Sequence, residues 1–183
     1  MDILMARCLI DLKQYEQARR TLKDLNQREP TAEAYYWLAR IAETEKDWDS
    51  MELTIQKATL LDPTNSRYRL TFSQVLARLK KLNRAEKEAS LAIKRSPEPS
   101  PWLFNHRAWI RWRQNDYEGA LKDWRSAILL KPDRAAFYAQ AAEAYRRIGD
   151  WPYAIAYYKK ASQLDPENTR YHERYLELKT ENP

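Results

Sequence analysis

Side chains that could act as nucleophiles or as metal ligands are rare in this chain. It contains one cysteine, Cys8, and two histidines, His106 and His172. A Cys/His nucleophile pair needs two side chains within hydrogen-bond reach, and no His or Cys pair here has the spacing of a metal site. Cys8 lies among apolar residues such as Met5 and Leu9, so we expect a buried, inert thiol. We therefore predict no catalytic residue, no metal, no cofactor and no enzymatic activity.

Recognition chemistry is indicated instead by an aromatic and cationic stripe. Trp102, His106, Trp109 and Arg113 recur at i, i+4, i+7 and i+11, which places them on one side of an α-helix. Tryptophan, tyrosine and arginine are the residue types enriched at the energetic centres of interfaces. The stripe predicts a patch that anchors a partner. The alternative is a rotated helix that buries these tryptophans against its neighbours.

The elements that position this stripe follow from a repeat. One set of spacings, 33, 34, 35 and 34 residues, separates five prolines, and the same set separates an upstream aromatic or leucine and two alanine-rich positions. A fixed period between 20 and 50 residues is typical of a repeat array. The prolines are Pro30, Pro63, Pro97, Pro132 and Pro166, and the aromatic or leucine positions are Tyr15, Trp48, Leu82, Tyr117 and Trp151.

Each period is predicted to contain two helices. Apolar residues recur at helical spacing, as in Met51, Ile55 and Ala58, and only two glycines interrupt the chain. The first helices are predicted at 32–44, 66–79, 101–113 and 135–147, and the second helices at 48–61, 82–95, 117–130 and 151–164. An aspartate precedes three of the second helices, where a carboxylate can cap free N–H groups; these are Asp47, Asp116 and Asp150.

The repeat resembles the tetratricopeptide repeat (TPR) family over nearly the whole chain. The segments from Gly149 to Pro166 and from Asn115 to Pro132 are close to the family pattern. The resemblance implies an all-α fold, a right-handed α-α superhelix of about five helix-turn-helix repeats with a C-terminal capping helix, in one domain over 1–183. The repeats are predicted at 1–31 (partial), 32–65, 66–100, 101–134 and 135–168, and the capping helix at 169–183.

The first repeat is shorter than the family pattern, and Asp2 stands at an aromatic position. We interpret this as the sign of a chain cut from a larger parent protein. An ordinary degenerate first repeat is the alternative.

The resemblance also assigns positions that face a concave groove. In the family these positions lie on the first helices, and their residues here are predicted to bind the partner. The predicted groove residues are Tyr36, Trp37, Arg40, Arg67, Gln74, Arg78, Trp102, Asn105, His106, Trp109, Trp112, Arg113, Gln140 and Arg147. The family's core positions in the Trp-rich helix hold two arginines, and we expect Arg107 to pair with Asp123.

One known use of the groove can be compared residue by residue. TPR domains that grip the C-terminal carboxylate of Hsp70 or Hsp90 use a set of lysines, asparagines and an arginine. Counted from the second repeat, this chain has none of these types except one arginine at the corresponding positions, which are Tyr36, Arg40, Thr71, Trp102 and His106. Counting from the first or third repeat gives no match, so we predict no chaperone-tail clamp.

The composition of the chain limits which partners and which cellular location we expect. Lys plus Arg number 32 against 26 Asp plus Glu, a net charge of +6, which favours acidic partners. We predict a non-catalytic scaffold that binds a peptide or helix of another protein, through an acidic or aromatic-binding segment, in a larger bacterial assembly. The alternative is a groove for an anionic polymer, either an exopolysaccharide in a secretion system or a nucleic acid. No run of 18 apolar residues spans a membrane; we expect a soluble cytoplasmic or periplasmic chain, with tethering through an absent segment left open.

Overall fold

The computed structural model describes residues 1–181, and within them it contains eleven α-helices and no strand. The helices are α1 (Asp2–Asp11), α2 (Tyr15–Arg28), α3 (Ala32–Thr44), α4 (Trp48–Leu61), α5 (Ser66–Arg78), α6 (Leu82–Arg95), α7 (Pro101–Arg113), α8 (Tyr117–Leu130), α9 (Ala135–Arg147), α10 (Trp151–Leu164) and α11 (Thr169–Glu181). The predicted all-α fold and helix ranges are confirmed, except that α5 ends one residue early. Residues 182–183 of the predicted capping helix lie outside the described residues.

The helices form two compact units, Met1–Pro97 with α1 to α6 and Glu98–Pro183 with α7 to α11. In each unit, the first helix of a repeat packs against its own second helix, as α3 does on α4 and α9 on α10. The second helix then contacts the first helix that follows it within the unit. The assignment of all the repeats to one domain stays a prediction.

Small residues let the helices approach closely. Along the second helices, the alanines of the repeating pattern are fully buried, including Ala58, Ala92, Ala127 and Ala161. The stripe of α6 consists only of alanines, Ala85, Ala89 and Ala92, and all three are buried. Larger side chains fill the remaining space. The alanines therefore recur with the repeat because each one lies where two helices pack closely.

The first helices end in a left-handed residue that repeats with the period of the prolines. Lys13, Lys46, Lys80, Asn115 and Gly149 have φ between 60 and 80°. The amide that follows each one bonds back to the carbonyl five residues earlier, as Asp47 N does to Ala42 O at 2.9 Å and Asp116 N to Arg111 O at 2.9 Å. This is the hydrogen bond of a Schellman turn. Glycine occupies the left-handed position in only one of these five turns, so the glycines of the sequence do not predict the others.

Three of the second helices follow an aspartate, and two of these aspartates form the predicted cap. Asp47 accepts a hydrogen bond from the Ser50 amide at 3.1 Å, and Asp116 from the Gly119 amide at 2.9 Å. The Ser50 hydrogen bonds lower the pKa of the Asp47 carboxyl. Asp150 stands at the same position of α10 but makes no side-chain cap hydrogen bond, so the cap predicted there is wrong.

Replacing Asp47 with alanine should lower the free energy of unfolding by about 1 kcal/mol, because one free amide of α4 loses its acceptor. Asp150→Ala is the matched control, since it removes a carboxylate from the same position without removing a cap hydrogen bond. Urea denaturation of both variants measures the difference. Equal losses would show that the Asp47 hydrogen bond contributes nothing.

The two terminal helices differ in the surfaces that they expose. In α11, Leu178 is buried and Tyr175 packs against the core of its unit, while Glu173, Lys179 and Glu181 are exposed. In α1, Ala6 and Leu9 are buried, but Cys8 is exposed. The expected burial of Cys8 is wrong because its position lies on the side of α1 opposite Ala6.

Candidate functional site

Predicted groove residues occur in both units and define two surfaces. The unit 1 surface comprises Tyr36, Trp37, Arg40, Arg67, Gln74 and Arg78. The unit 2 surface comprises Trp102, Asn105, His106, Trp109, Trp112, Arg113, Gln140 and Arg147. All of these residues lie on the first helices α3, α5, α7 and α9.

A buried ion cluster fixes the orientation of α7. Arg107 donates to Asp123 through Nη2 at 2.6 Å and through Nε at 2.8 Å, and Arg111 Nη1 donates to Asp123 Oδ2 at 3.0 Å. The Asp123 side chain is only 4% exposed. The expected pair of Arg107 and Asp123 is confirmed. Because the two arginines face α8, the opposite side of α7 turns its indoles toward solvent.

Two tryptophans of α7 are accessible, and each carries a guanidinium over its ring. Trp102 is 48% exposed and Trp109 is 40% exposed. Arg134 lies 5.5 Å from the centre of the Trp102 ring, and Arg113 lies 4.8 Å from that of Trp109. The edge of Trp102 also contacts the buried Phe137, with ring centres 5.3 Å apart. The alternative in which α7 buries its tryptophans therefore does not hold for these two.

Two other residues of the unit 2 surface serve the interior. Trp112 packs against the hydrophobic core, and its Nε1 is buried with no hydrogen-bond partner among the described residues. Asn105 accepts a hydrogen bond from Trp124 Nε1 at 3.1 Å, so its amide holds a buried indole in place. Neither side chain presents its polar group to a partner.

His106 lies between these residues and is half-buried. Burial lowers the pKa of its imidazole to about 4, so His106 is neutral at pH 7. The positive charge on this side of α7 therefore comes from arginines, and His106 contributes a neutral polar group to the stripe.

The α9 residues of the unit 2 surface are partly engaged. Gln140 is half-buried, and its Oε1 has no hydrogen-bond partner among the described residues. Arg147 is exposed and its Nε lies 3.4 Å from Glu143 Oε1, which also accepts from Arg146 at 2.6 Å. Glu143 thus neutralises part of the positive charge at this end of α9. The arginines on or beside the unit 2 surface whose charge is least neutralised by a carboxylate are Arg113 and Arg134.

The aromatic residues of the unit 1 surface are largely internal. Tyr36 is 8% exposed and packs against Trp37 and Tyr68, with ring centres 5.4 and 5.1 Å away. Trp37 is half-buried, donates to Glu33 through Nε1 at 3.3 Å and lies under Arg7. Tyr36 is therefore mostly buried beside Tyr68, although it borders one of the clefts of this surface, and its role in partner binding stays a prediction.

The polar residues of the unit 1 surface line two clefts. Arg40, Gln74 and Arg78 border a cleft of about 400 Å³, together with Glu43, Trp48, Met51 and Val75. Arg40 pairs with Glu43 at 3.0 Å, and the Arg78 guanidinium lies 4.5 Å from the centre of the Trp48 ring. Arg67 is exposed beside a second cleft that also includes Glu33 and Tyr36.

Trp48 and Arg134 belong to these sites but were absent from the predicted set. Trp48 is the first residue of α4, and Arg134 immediately precedes α9. Both lie outside the first helices whose positions the family pattern assigns. Only the three-dimensional contact with Arg78 or with Trp102 identifies them.

Two other kinds of site were searched for in the described part of the chain. Residues 1–181 contain no group of three His, Cys, Asp or Glu side chains placed to hold a metal ion. None of their helices has the length and hydropathy needed to cross a membrane.

Comparison with known proteins identifies the repeat. Two family models described as tetratricopeptide repeat match residues 2–49 and 106–169. The chain is 26% identical over 188 residues to a DnaJ homolog subfamily C member 7 homolog of Dictyostelium discoideum, covering 92% of this chain and 34% of that protein. It is 29% identical over 136 residues to an Hsp70-Hsp90 organizing protein of Triticum aestivum, covering 73% and 21%. The chain thus spans about a third or less of these relatives.

Solved structures share the fold at low sequence identity. YrrB, described as a TPR protein with an unusual peptide-binding site, has a TM-score of 0.85 and 17% identity, covering 98% of this chain and 90% of its own. MamA has a TM-score of 0.83 and 16% identity, covering 90% and 96%. PilF of Pseudomonas aeruginosa has a TM-score of 0.77 and 19% identity, covering 97% and 81%. These similarities show the all-α superhelical repeat fold.

Proposed function

The chain belongs to the tetratricopeptide repeat family, and from this premise we propose that it is a scaffold that holds a segment of another protein on the unit 2 surface. The family supports protein–protein interaction, and its members are generally not enzymes. The observation that carries the proposal is the pair of half-exposed indoles, Trp102 and Trp109, each with an arginine over its ring. The partner and this chain form part of a larger assembly.

The two indoles set the spacing of the partner. Trp102 and Trp109 are seven residues apart on α7, which corresponds to about 10.5 Å along the helix axis. In a polyproline II segment, residues i and i+3 lie on the same side and about 9.3 Å apart. Such a segment, with apolar or aromatic side chains at i and i+3, can therefore place one on each indole.

The arginines set the charge of the partner. The sequence of α7 contains three arginines and no acidic residue, and Arg113 and Arg134 lie beside the exposed rings. A carboxylate next to each apolar side chain of the partner would pair with these guanidinium groups. The favoured ligand is thus a segment in which an acidic residue stands next to each of the two apolar or aromatic residues.

This proposal can be tested with a random peptide library displayed on phage and selected on the immobilised chain. We expect the selected peptides to share acidic residues beside apolar or aromatic ones. In Trp109→Ala/Arg113→Ala their affinity should fall at least about 30-fold, the effect of losing an interfacial hot spot of about 2 kcal/mol. Fluorescence anisotropy of labelled peptides measures this loss.

A matched control changes the same residue types on second helices. Tyr153→Ala/Arg125→Ala removes an exposed aromatic and an exposed arginine from α10 and α8, and it should leave the affinity unchanged. Both double variants should keep a melting temperature close to that of the parent. If Trp109→Ala/Arg113→Ala unfolds, these side chains are structural. If it stays folded and binds normally, the unit 2 surface is not the site.

An anionic polymer is the second candidate, because Arg113 and Arg134 lie beside the exposed, stackable indoles. Titration with polyuridylic acid and with alginate at two salt concentrations separates the two functions. Polymer binding should weaken steeply between 50 and 200 mM salt, by about 10³-fold for six phosphate contacts. We expect the selected peptides to lose far less affinity, since indole burial contributes to their binding.

The names of the two relatives refer to chaperones, yet we propose no C-terminal carboxylate clamp in this chain. At the clamp positions counted from the second repeat, the structure has the buried Tyr36, the buried Thr71 and the neutral His106. Amidation of the C-terminus of a selected peptide should therefore leave its affinity unchanged.

A further inference from the structure

Helix α1 exposes a continuous apolar stripe. Met1, Leu4, Met5, Cys8 and Leu12 recur at i, i+3, i+4, i+7 and i+11, on one side of the helix. Met1 is 105% exposed, Leu4 63%, Met5 56% and Leu12 67%, and Cys8 is exposed as well. The opposite side of α1 packs in the unit 1 core through Ala6 and Leu9. The helix is therefore apolar on both sides, and one of them faces solvent.

The exposed side of α11, the other terminal helix, is mostly polar. It includes His172, Glu173, Glu177 and Thr180, with Leu176 as the large apolar exception. The stripe of α1 has the composition of an interface, since apolar patches of a few hundred Å² usually mark interaction sites.

We propose that this stripe binds the same stripe of a second copy, with the two α1 helices antiparallel about a two-fold axis. The argument is charge complementarity. Arg7 and Asp11 are exposed on the same flank of the stripe, one helical turn apart. An antiparallel two-fold pairing brings identical flanks together, so Arg7 of each copy meets Asp11 of the partner subunit. A parallel two-fold pairing would place the two Arg7–Asp11 flanks on opposite sides of the interface, where they could not pair.

This charge pairing fixes the register of the apolar residues. With Arg7 level with Asp11 of the partner subunit, the two-fold axis passes at residue 9. At 1.5 Å per residue, Leu12 then lies level with the gap between Met5 and Cys8 of the partner subunit. Cys8 lies about 3 Å along the axis from Cys8 of the partner subunit. The apolar residues interleave in the same register that pairs the charges, which supports a second copy over an unrelated apolar helix.

Arg7 also contacts the Trp37 ring, with its guanidinium 5.3 Å from the ring centre. The side chain is exposed, so it can exchange this contact for the ion pair. The stripe is small compared with the interface of a stable dimer. We therefore expect a dimer that dissociates in the micromolar range.

Sedimentation equilibrium of the 21.9 kDa chain should show a concentration-dependent doubling of mass. Leu4→Asp/Leu12→Asp should weaken the association at least tenfold. Leu53→Asp/Leu60→Asp is the matched control, because these α4 leucines are 62% and 73% exposed, and it should behave as the parent. A chain that stays monomeric at 200 µM, or equal effects of the two double variants, would overturn the proposal.

Two further measurements test the register. Arg7→Asp and Asp11→Arg should each weaken the dimer, and the double variant should restore it.

Diamide should convert the two central Cys8 thiols to an intersubunit disulfide, the thiols losing two electrons and two protons to the diamide. Cys8→Ser/Leu53→Cys, with its thiol on α4, should cross-link far less. Absence of charge-swap rescue, or equal cross-linking, would rule out this arrangement. Trp109→Ala/Arg113→Ala should dimerise normally, so this inference and the proposed function fail independently.

Discussion

We expect the replacement of Asp123 by asparagine to lower the free energy of unfolding of unit 2 by about 3–5 kcal/mol, the usual effect of breaking a buried ion pair. Asp123 lies between Arg107 and Arg111 inside unit 2 and pairs with both, and its side chain is 4% exposed. An amide keeps the shape of the side chain but not its charge. Two guanidinium groups, 17% and 21% exposed, would then lie against a neutral group in a poorly solvated place.

Urea denaturation followed by tryptophan fluorescence measures this loss, and Glu177→Gln is the matched control. That exchange also converts a carboxylate to an amide in unit 2, but the pair of Glu177 with Arg174 is about half exposed on both sides. Exposed pairs contribute about 0–1 kcal/mol, so the control should change stability little. Similar losses in the two variants would mean that the Asp123 cluster is no more important than a surface pair.

The Asp123 cluster also connects the core to the unit 2 surface. Arg107 and Arg111 hold one side of α7 against α8, and the exposed Trp102 and Trp109 lie on the opposite side of the same helix. A partly loosened α7 could rotate its indoles into the apolar interior. We therefore expect Asp123→Asn to reduce the affinity for peptide as well, at urea concentrations where Glu177→Gln still binds with full affinity.

The period predicted the helices well because it is a packing requirement. Each repeat must place an alanine where two helices meet, so Ala58, Ala92 and Ala127 report helix positions almost directly. The turns were less visible. Their left-handed residue is lysine in three repeats, asparagine in one and glycine in one, so residue type alone does not identify it; the backbone hydrogen bonds do.

The candidate site was predicted only in part, because a position in a repeat does not determine where a long side chain points. Tyr36 was assigned to a groove, yet it turns inward onto Tyr68. Asn105 was assigned likewise, yet it accepts a hydrogen bond from the buried Trp124. These contacts join residues of different helices, and no pattern within one helix contains them. The exposure of Trp102 and Trp109 was predictable because the arginines at the core positions of α7 marked its other side.

Acidification should destabilise unit 2 through His106, and we expect a loss of about 2 kcal/mol between pH 7 and pH 5 from this residue. Burial lowers the pKa of His106 to about 4 in the folded state, while an unfolded histidine titrates near 6.5. Between these values the unfolded chain binds a proton that the folded chain excludes. The stabilising contribution is therefore fully present above pH 6.5 and is lost progressively as the pH falls toward 4.

The measurement is the urea midpoint at pH 7 and at pH 5 for the parent and for His106→Asn. The variant should lose the His106 component of the pH dependence, so its stability should fall by about 2 kcal/mol less than that of the parent over this interval. His172→Asn is the control, because it makes the same exchange at an exposed position of α11 and leaves His106 in place. A parent and His106→Asn with the same pH dependence would show that His106 is solvated in the folded protein. It could then carry a charge on the unit 2 surface, and the preference for acidic partners would extend to this position below pH 6.5.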